Sequence, residues 1–306
     1  MSELITCIIP TYNRAALLEQ AIASTCRQTH PNWELIIVDD HSTDQTAEVA
    51  RQWAAGDERI RYFLNPGKGP GAARNHGIRE ARGSYIAFLD DDDESLPHRF
   101  ETQLRAMKNG GHGFLVSGFR SVERESGKVL GDCKLELRAL GAGFPSRWML
   151  KKELLEKTGG FDEALPSMED PELSYRIAEY ELFALHDDIV TIMYMHPASL
   201  SRKKVKNAQG RSLLLQKNES KMPSLEAAWW YYTLGMEYYD LGEDSLAVDS
   251  FRHAAKRDPR GIYQLVFQYF NLSRRFGNRL KGFNLKVLGR FSDYRFPVLV
   301  KHPVVS

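Results

Sequence analysis

The sequence predicts an α/β domain, a parallel sheet covered by helices, followed by a small all-α C-terminal region. Three observations predict it. Over the first hundred residues short apolar runs alternate with stretches of helical period. Polar clusters fall at the carboxyl ends of those runs, where open sheets of this kind bind ligands. Past residue 222 the apolar positions keep helical spacing only. With 306 residues, 42% of them hydrophobic, the chain is ample for a sizeable core.

Taken in order, residues 4–9 form the first candidate strand, and Leu17, Leu18, Ala21 and Ile22 then repeat at helical spacing. Residues 34–38 are the second strand. Ser42 with Gln45 has the form of a capping box opening a helix toward Trp53. Residues 60–64 are the third strand, the glycines and Pro70 of 65–71 make a loop into a third helix, and residues 85–89 are the fourth strand. From about Phe114 to Ser201 less regular strands, glycine-rich turns and short helices continue the same domain. Residues 202–222 are polar and are expected to be a linker with some helical character. Tyr231, Leu234, Gly235, Tyr238, Ala247, Phe251, Ala254 and Pro259 then fall on the 34-residue tetratricopeptide pattern, which predicts one helical hairpin. A single repeat must pack on something else: the main domain, a following helix over 262–276, or a second chain.

Charge and cysteine usage narrow the class. Lys and Arg total 41 against 40 Asp and Glu, so a uniformly basic nucleic-acid binder is excluded. The neutral sum hides two regions: residues 260–306 hold nine Lys and Arg against one Asp, a balance of +8, which leaves −7 for the rest. Phe and Leu interleave with those cations, so the tail could close the core, pair chains or dock on an anionic membrane. Cys7, Cys26 and Cys133 are scattered, which argues against a disulfide framework or a zinc site and for a reducing cytoplasm. Residues 4–10 lack the flanks of a signal peptide, and no apolar run reaches the roughly 18 residues of a spanning helix. The expectation is a cytoplasmic protein, free or peripheral at the inner face of the membrane.

The sharpest chemical feature is residues 85–94, YIAFLDDDDE, an apolar strand ending in five acids. Carboxylates so close repel one another unless a cation offsets them, and hard ions such as Mn2+ or Mg2+ prefer oxygen ligands. Asp90 and Asp92 are spaced so that one can face a ligand while the other meets a metal. Asp39 and Asp40 end the second strand before a helix, either complementing its dipole or accepting hydrogen bonds from a nucleotide base. The turn Pro10, Thr11, Tyr12, Asn13, Arg14 offers backbone groups, an aromatic face and a cation to a nucleotide, or simply a helix N-terminus capped by Asn13. Residues 69–78, GPGAARNHGI, put small residues where a loop meets a helix and place Arg74 within its first turns, which suits a diphosphate. Glu169 and Asp170, before Pro171, read on their own as a helix N-terminal pair. His196, after an apolar run, reads alone as a structural residue.

CIIPTYNR, VDDHSTDQT, GPGAARNHGI, YIAFLDDDDE, TGGFDE and SMEDPELSYR, in this order and spacing, resemble the family 2 glycosyltransferases of the GT-A fold, over roughly residues 5–201. The resemblance implies a GT-A nucleotide-binding mixed sheet between helices, a nucleotide-sugar donor (a UDP-sugar foremost), Mn2+ or Mg2+, and inversion at the anomeric carbon. It gives a catalytic domain over 1–205, with a nucleotide-sugar half (1–105) and an acceptor half (106–205), then a linker (206–222), the tetratricopeptide-like hairpin (223–261) and the basic helical tail (262–306). By matching position it implies that residues 10–14 contact the nucleotide, that Asp40, beside Asp39, reads the base, and that Arg74 lies near the diphosphate. It further makes Asp90 and Asp91 ribose-side acids, Asp92 and His196 metal ligands and Asp170 the general base. The implied acceptor is a glycan or lipid-linked hydroxyl in cell-surface polysaccharide synthesis, with no nucleic acid involved. The later Gln-x-x-Arg-Trp signature of processive relatives is missing, so addition of one or few sugars is expected. Two other readings compete: a sugar-phosphate nucleotidyltransferase, for which the turn after the first strand lacks a basic glycine-rich loop, and a non-catalytic nucleotide-binding scaffold whose hairpin recruits a partner.

Overall fold

The computed structural model describes residues 3–133, 142–195 and 204–258, with 261, 263–264, 267–268 and 304–305 beyond them. His196 and most of the basic tail lie outside the described residues.

β1 (Ile5–Thr11), β2 (Trp33–Asp39), β3 (Ile60–Leu64) and β4 (Tyr85–Phe88) form the parallel half of the sheet. They alternate with α1 (Ala15–Cys26), α2 (Thr46–Gly56) and α3 (Gly69–Glu80). After a short β5 (Glu94–Ser95) and α4 (Arg99–Gly110) come β6 (Phe114–Glu123), β7 (Val129–Cys133) and β8 (Trp148–Lys151), then α5 (Lys152–Thr158), α6 (Glu169–Ile177) and β9 (Ala184–Met195). Across the sheet the order is β3-β2-β1-β4-β8-β6-β9, with a two-residue β10 (Val304–Val305) at the far edge. β8 runs antiparallel to both β4 and β6, so the sheet is mixed.

The apolar runs form strands because both faces of the sheet are covered, the condition under which a strand reads as nearly continuous hydrophobic sequence. Ile5, Cys7 and Ile9 of β1 point with Leu35 and Ile37 of β2 into a core under α1, α2 and α4. Ile8 of β1, Ile36, Val38, Ile86 and Phe88 point the other way, against α3, α5 and α6. β2 and β3 lie on one side of β1 while β4 lies on the other, so the chain reverses its winding between β1 and β4. Ligands of open α/β sheets bind outside the carboxyl ends of the strands at such a switch point.

Three local expectations change. The Ser42–Gln45 capping box does not form: α2 begins only at Thr46, with no side-chain cap bond at Gln45. Asp39 Oδ1 accepts from the Ser42 backbone instead, and Ser42 Oγ accepts from the Asn13 backbone, tying the first two strand ends together. Nor does Asn13 cap α1; its amide oxygen accepts from the Thr43 backbone at 2.7 Å. The stretch expected as a linker, 206–222, lies mostly in a fifteen-residue helix, α7 (Lys204–Asn218). Its polar composition conceals a buried face of Ala208, Leu214 and Leu215. α8 (Ser224–Asp240) and α9 (Asp244–Arg257) follow as a helical hairpin, in which Ala247, Phe251 and Ala254 are fully buried and Gly235 admits the Phe251 ring. No helix among the described residues is long and apolar enough to cross a membrane.

Candidate active site

The acids that end β4 meet the turn that ends β1 at the switch point. Thr11 Oγ1 donates to Asp91 Oδ2 at 2.8 Å, and Arg14 donates to Asp91 Oδ1 at 3.0 Å and also to Asp92. The acids differ in exposure. Asp91 and Asp93 are buried, whereas the side chains of Asp90 and Asp92 keep 29% and 25% of their surface open. Burial raises the pKa of Asp91 to about 6, and it pushes Asp93 well above the usual carboxylate range, with repulsion from Asp90 adding to it. Ser146, from the turn before β8, fixes the run by accepting from the Asp90 backbone N–H at 2.9 Å. Arg124, stacked 4.1 Å from the Tyr194 ring centroid, donates to the Asp92 carbonyl. Ser146 and Arg124 carried no signal in the sequence, because only the fold brings them to the acids.

At the end of β2 the two aspartates work inside the scaffold. Asp39 is 1% exposed, with one oxygen accepting from the Ser42 N–H and the other from the Tyr62 hydroxyl at 3.0 Å. Asp40, more open, accepts from Asn65 Nδ2 at 2.7 Å and from the Gly69 N–H at 2.8 Å, which anchors the loop entering α3. Tyr12 projects 55% exposed beside them and leaves an aromatic face free for stacking. Pro10 is half-buried at the last position but one of β1.

Arg74 is taken up by carboxylates of the chain itself. α3 packs closely on β1, where a Cβ on Gly77 would stand 2.5 Å from Ile8, and Arg74 of α3 reaches the acids that follow β4. Its guanidinium is 5% exposed, donating to Asp90 at 2.8 Å, Glu169 at 3.2 Å and Asp170 at 3.3 Å. In this state its charge is answered by three carboxylates of the chain. Arg74 thus joins the β4 acids to the N-terminus of α6, and those carboxylates raise its pKa further despite burial. Asp170, with 20% of its side chain open, is held well above the ordinary carboxylate range by burial, against the pull of Arg74. Burial thus makes that carboxyl a stronger proton acceptor than an ordinary exposed one.

Among the described residues no three His, Cys, Asp or Glu side chains are grouped as a ligand set for a metal. Asp92 and Asp90 nevertheless offer partly open carboxylate oxygens at the strand end. That suits an ion such as Mg2+, which takes one or two carboxylates and completes its shell with water and substrate phosphates.

The sheet order and the acid-lined switch point define a GT-A type α/β fold. The chain belongs to the family 2 glycosyltransferases. The model for glycosyl transferase family 2 matches residues 6–133. An uncharacterized glycosyltransferase of Haemophilus influenzae is 32% identical over 201 residues, covering 64% of this chain and 77% of that protein. The GalNAc(5)-diNAcBac-PP-undecaprenol beta-1,3-glucosyltransferase of Campylobacter jejuni is 41% identical over 105 residues, 34% of each chain. An uncharacterized glycosyltransferase of Rickettsia felis is 42% identical over 126 residues, 41% of this chain; the chain spans only 21% of that relative's length. Among solved structures, S. aureus TarS 1-349 in complex with UDP-GlcNAc superposes with a TM-score of 0.65 at 16% identity, covering 89% of this chain and 92% of that one. The mannosyltransferase PcManGT of Pyrobaculum calidifontis, in complex with GDP-Man and Mn2+, gives 0.55 at 20% identity, covering 91% and 82%.

Proposed function

We propose that this chain is an inverting glycosyltransferase that moves a sugar from a UDP-sugar to a hydroxyl of a lipid-linked glycan. The observation that carries the reading is the buried Arg74, which ties the donor-side Asp90 to Asp170 across the switch point. Asp170 takes the proton from the acceptor hydroxyl as that oxygen attacks the anomeric carbon, on the face opposite the nucleotide. One in-line displacement inverts the centre and needs no enzyme nucleophile. Asp90 and Asp91 bind the ribose side of the donor, and Tyr12 gives the base a stacking face. Asp92 would hold Mn2+ or Mg2+, which when bound neutralises charge on a diphosphate. The family, together with the complexes of TarS 1-349 with UDP-GlcNAc and of PcManGT with GDP-Man and Mn2+, supports the nucleotide-sugar donor. The undecaprenol-linked substrate in the Campylobacter relative's name supports the acceptor class and a role in cell-surface glycan assembly. A lipid-linked acceptor brings the enzyme to the inner face of the membrane, which the +8 balance of residues 260–306 suits.

Calorimetry tests the donor side. Wild-type protein is expected to bind UDP more tightly with Mn2+ than without, and Asp92→Ala to lose that gain, about tenfold in Kd or roughly 1.4 kcal/mol. Equal Mn2+ dependence in the two proteins removes Asp92 from the metal.

A further inference from the structure

α6, which carries Asp170 in its first turn, has little of its own to fix it. It is nine residues long, no side chain caps its N-terminus, and it starts from Met168 at φ 67, a left-handed conformation. That conformation costs a non-glycine residue about 1–2 kcal/mol, and it persists only where neighbours impose it. One side of α6, through Leu173 and Ile177, belongs to the core beneath the sheet. The other side presents Tyr175 to α7 and α8, in a cluster with Leu214, Leu215, Trp230 and Leu234.

Within that apolar cluster sits a polar triad. Tyr175 and Glu226 are 1% and 2% exposed. The Tyr175 hydroxyl donates to the Glu226 carboxylate and accepts from Trp230 Nε1 at 2.7 Å. Three apolar side chains would fill the same space without the cost of burying a carboxylate; what the triad adds is direction, because its bonds hold at one register of α6 against α8. A second grip lies upstream of the base. Ser167 Oγ donates to the Lys206 carbonyl at 2.9 Å, and a Cβ on Gly210 would collide with the Ser167 carbonyl, so α7 lies directly on the segment entering α6. An ion pair between Lys217 and Asp162 holds the start of that segment.

We propose that the C-terminal helical unit is a positioning element for Asp170, acting through the Tyr175–Glu226–Trp230 triad and the seat of α7 on Ser167. The proposal rests on Asp170 being the general base. Its function is to keep that carboxylate in register with Arg74 and the acceptor hydroxyl, since a misplacement of about 1 Å can cost on the order of a hundredfold in rate.

The test uses the full chain. UDP release with Mn2+ is followed from whichever of UDP-glucose, UDP-GlcNAc and UDP-galactose the wild type turns over, and UDP affinity is measured alongside. Tyr175→Phe and Gly210→Ala are expected to lower kcat about tenfold or more with donor KM and UDP affinity unchanged, and to displace the acid limb of the kcat pH profile. Glu226→Gln, which still accepts from the Tyr175 hydroxyl, is expected to stay within about threefold of wild type. The double variant Tyr175→Phe, Glu226→Leu leaves no buried charge and is expected to fold and to show the same kcat loss. Folded variants with lower melting temperatures but wild-type kcat and pH profile overturn the proposal and leave the triad a purely structural role. Asp170→Asn separates the two readings. If it is active, or if the wild type turns over none of the donors, the catalytic reading beneath the proposal fails; if it is dead while the triad variants are normal, the positioning proposal fails alone.

Discussion

An Asp170→Asn enzyme is expected to bind UDP as the wild type does and to turn over roughly 10²–10⁴-fold more slowly, the range a positioned general base supplies. The two halves of that expectation rest on different parts of the molecule. On the proposed reading nucleotide contacts come from the ends of β1 and β4, where Thr11 and Arg14 hold Asp91, and none of these bonds involves Asp170. Proton transfer, on the same reading, depends on a carboxylate that burial holds above the ordinary range, and an amide of the same shape cannot accept the proton. Unfolding would not explain the loss. Arg74 keeps its bonds to Asp90 and Glu169. Because the folded Asp170 binds its proton more tightly than the unfolded chain does, ionising it costs stability at neutral pH, a cost Asn does not carry. The melting temperature is therefore expected to hold or rise. In the wild type the rate should climb with pH as Asp170 ionises, through a limb above the usual carboxylate pKa. Turnover and UDP calorimetry on one preparation decide; a variant within threefold of wild-type turnover sinks the base assignment.

The front half of the fold was legible because its strands are buried on both faces. Runs such as CII, LIIV and YIAFL can be little else when helical spacing separates them, and the acids follow directly at their ends. The back half was not. β6 pairs with β8 and β9, strands tens of residues away, and periodicity carries no record of partners that distant. α7 was read as a linker with some helical character for a different reason. Its polar residues dominate the composition, yet Arg211 spends its charge on Glu237 and Thr233 of α8 while Leu214 and Leu215 turn inward. Arg74 shows the limit most sharply. Its residue type and its place in α3 suggested an anion partner, and it has anionic partners, but two of them stand 95 and 96 positions away on α6. The sequence records that a cation is needed there and leaves open whose charge it answers.

Removing that cation is the second large effect. In Arg74→Met the carboxylates of Asp90, Glu169 and Asp170 are left facing one another at a mostly buried site, and breaking a buried ion pair in this way costs about 3–5 kcal/mol. With the cation gone the facing carboxylates repel one another, which favours protonation at the site. The folded variant consequently binds protons that the unfolded chain does not, and acid should partly rescue it: the deficit against wild type is largest at neutral pH and shrinks as pH falls toward the ordinary carboxylate range. Arg74→Lys should fall between the two. An ammonium restores the charge but is a point, whereas the guanidinium reaches Asp90 with one terminal nitrogen and Glu169 and Asp170 with the other. Denaturant titrations at pH 5 and 7.5 test this. A deficit below about 1 kcal/mol, or one that does not change with pH, would mean that the three carboxylates do not depend on Arg74 for their charge.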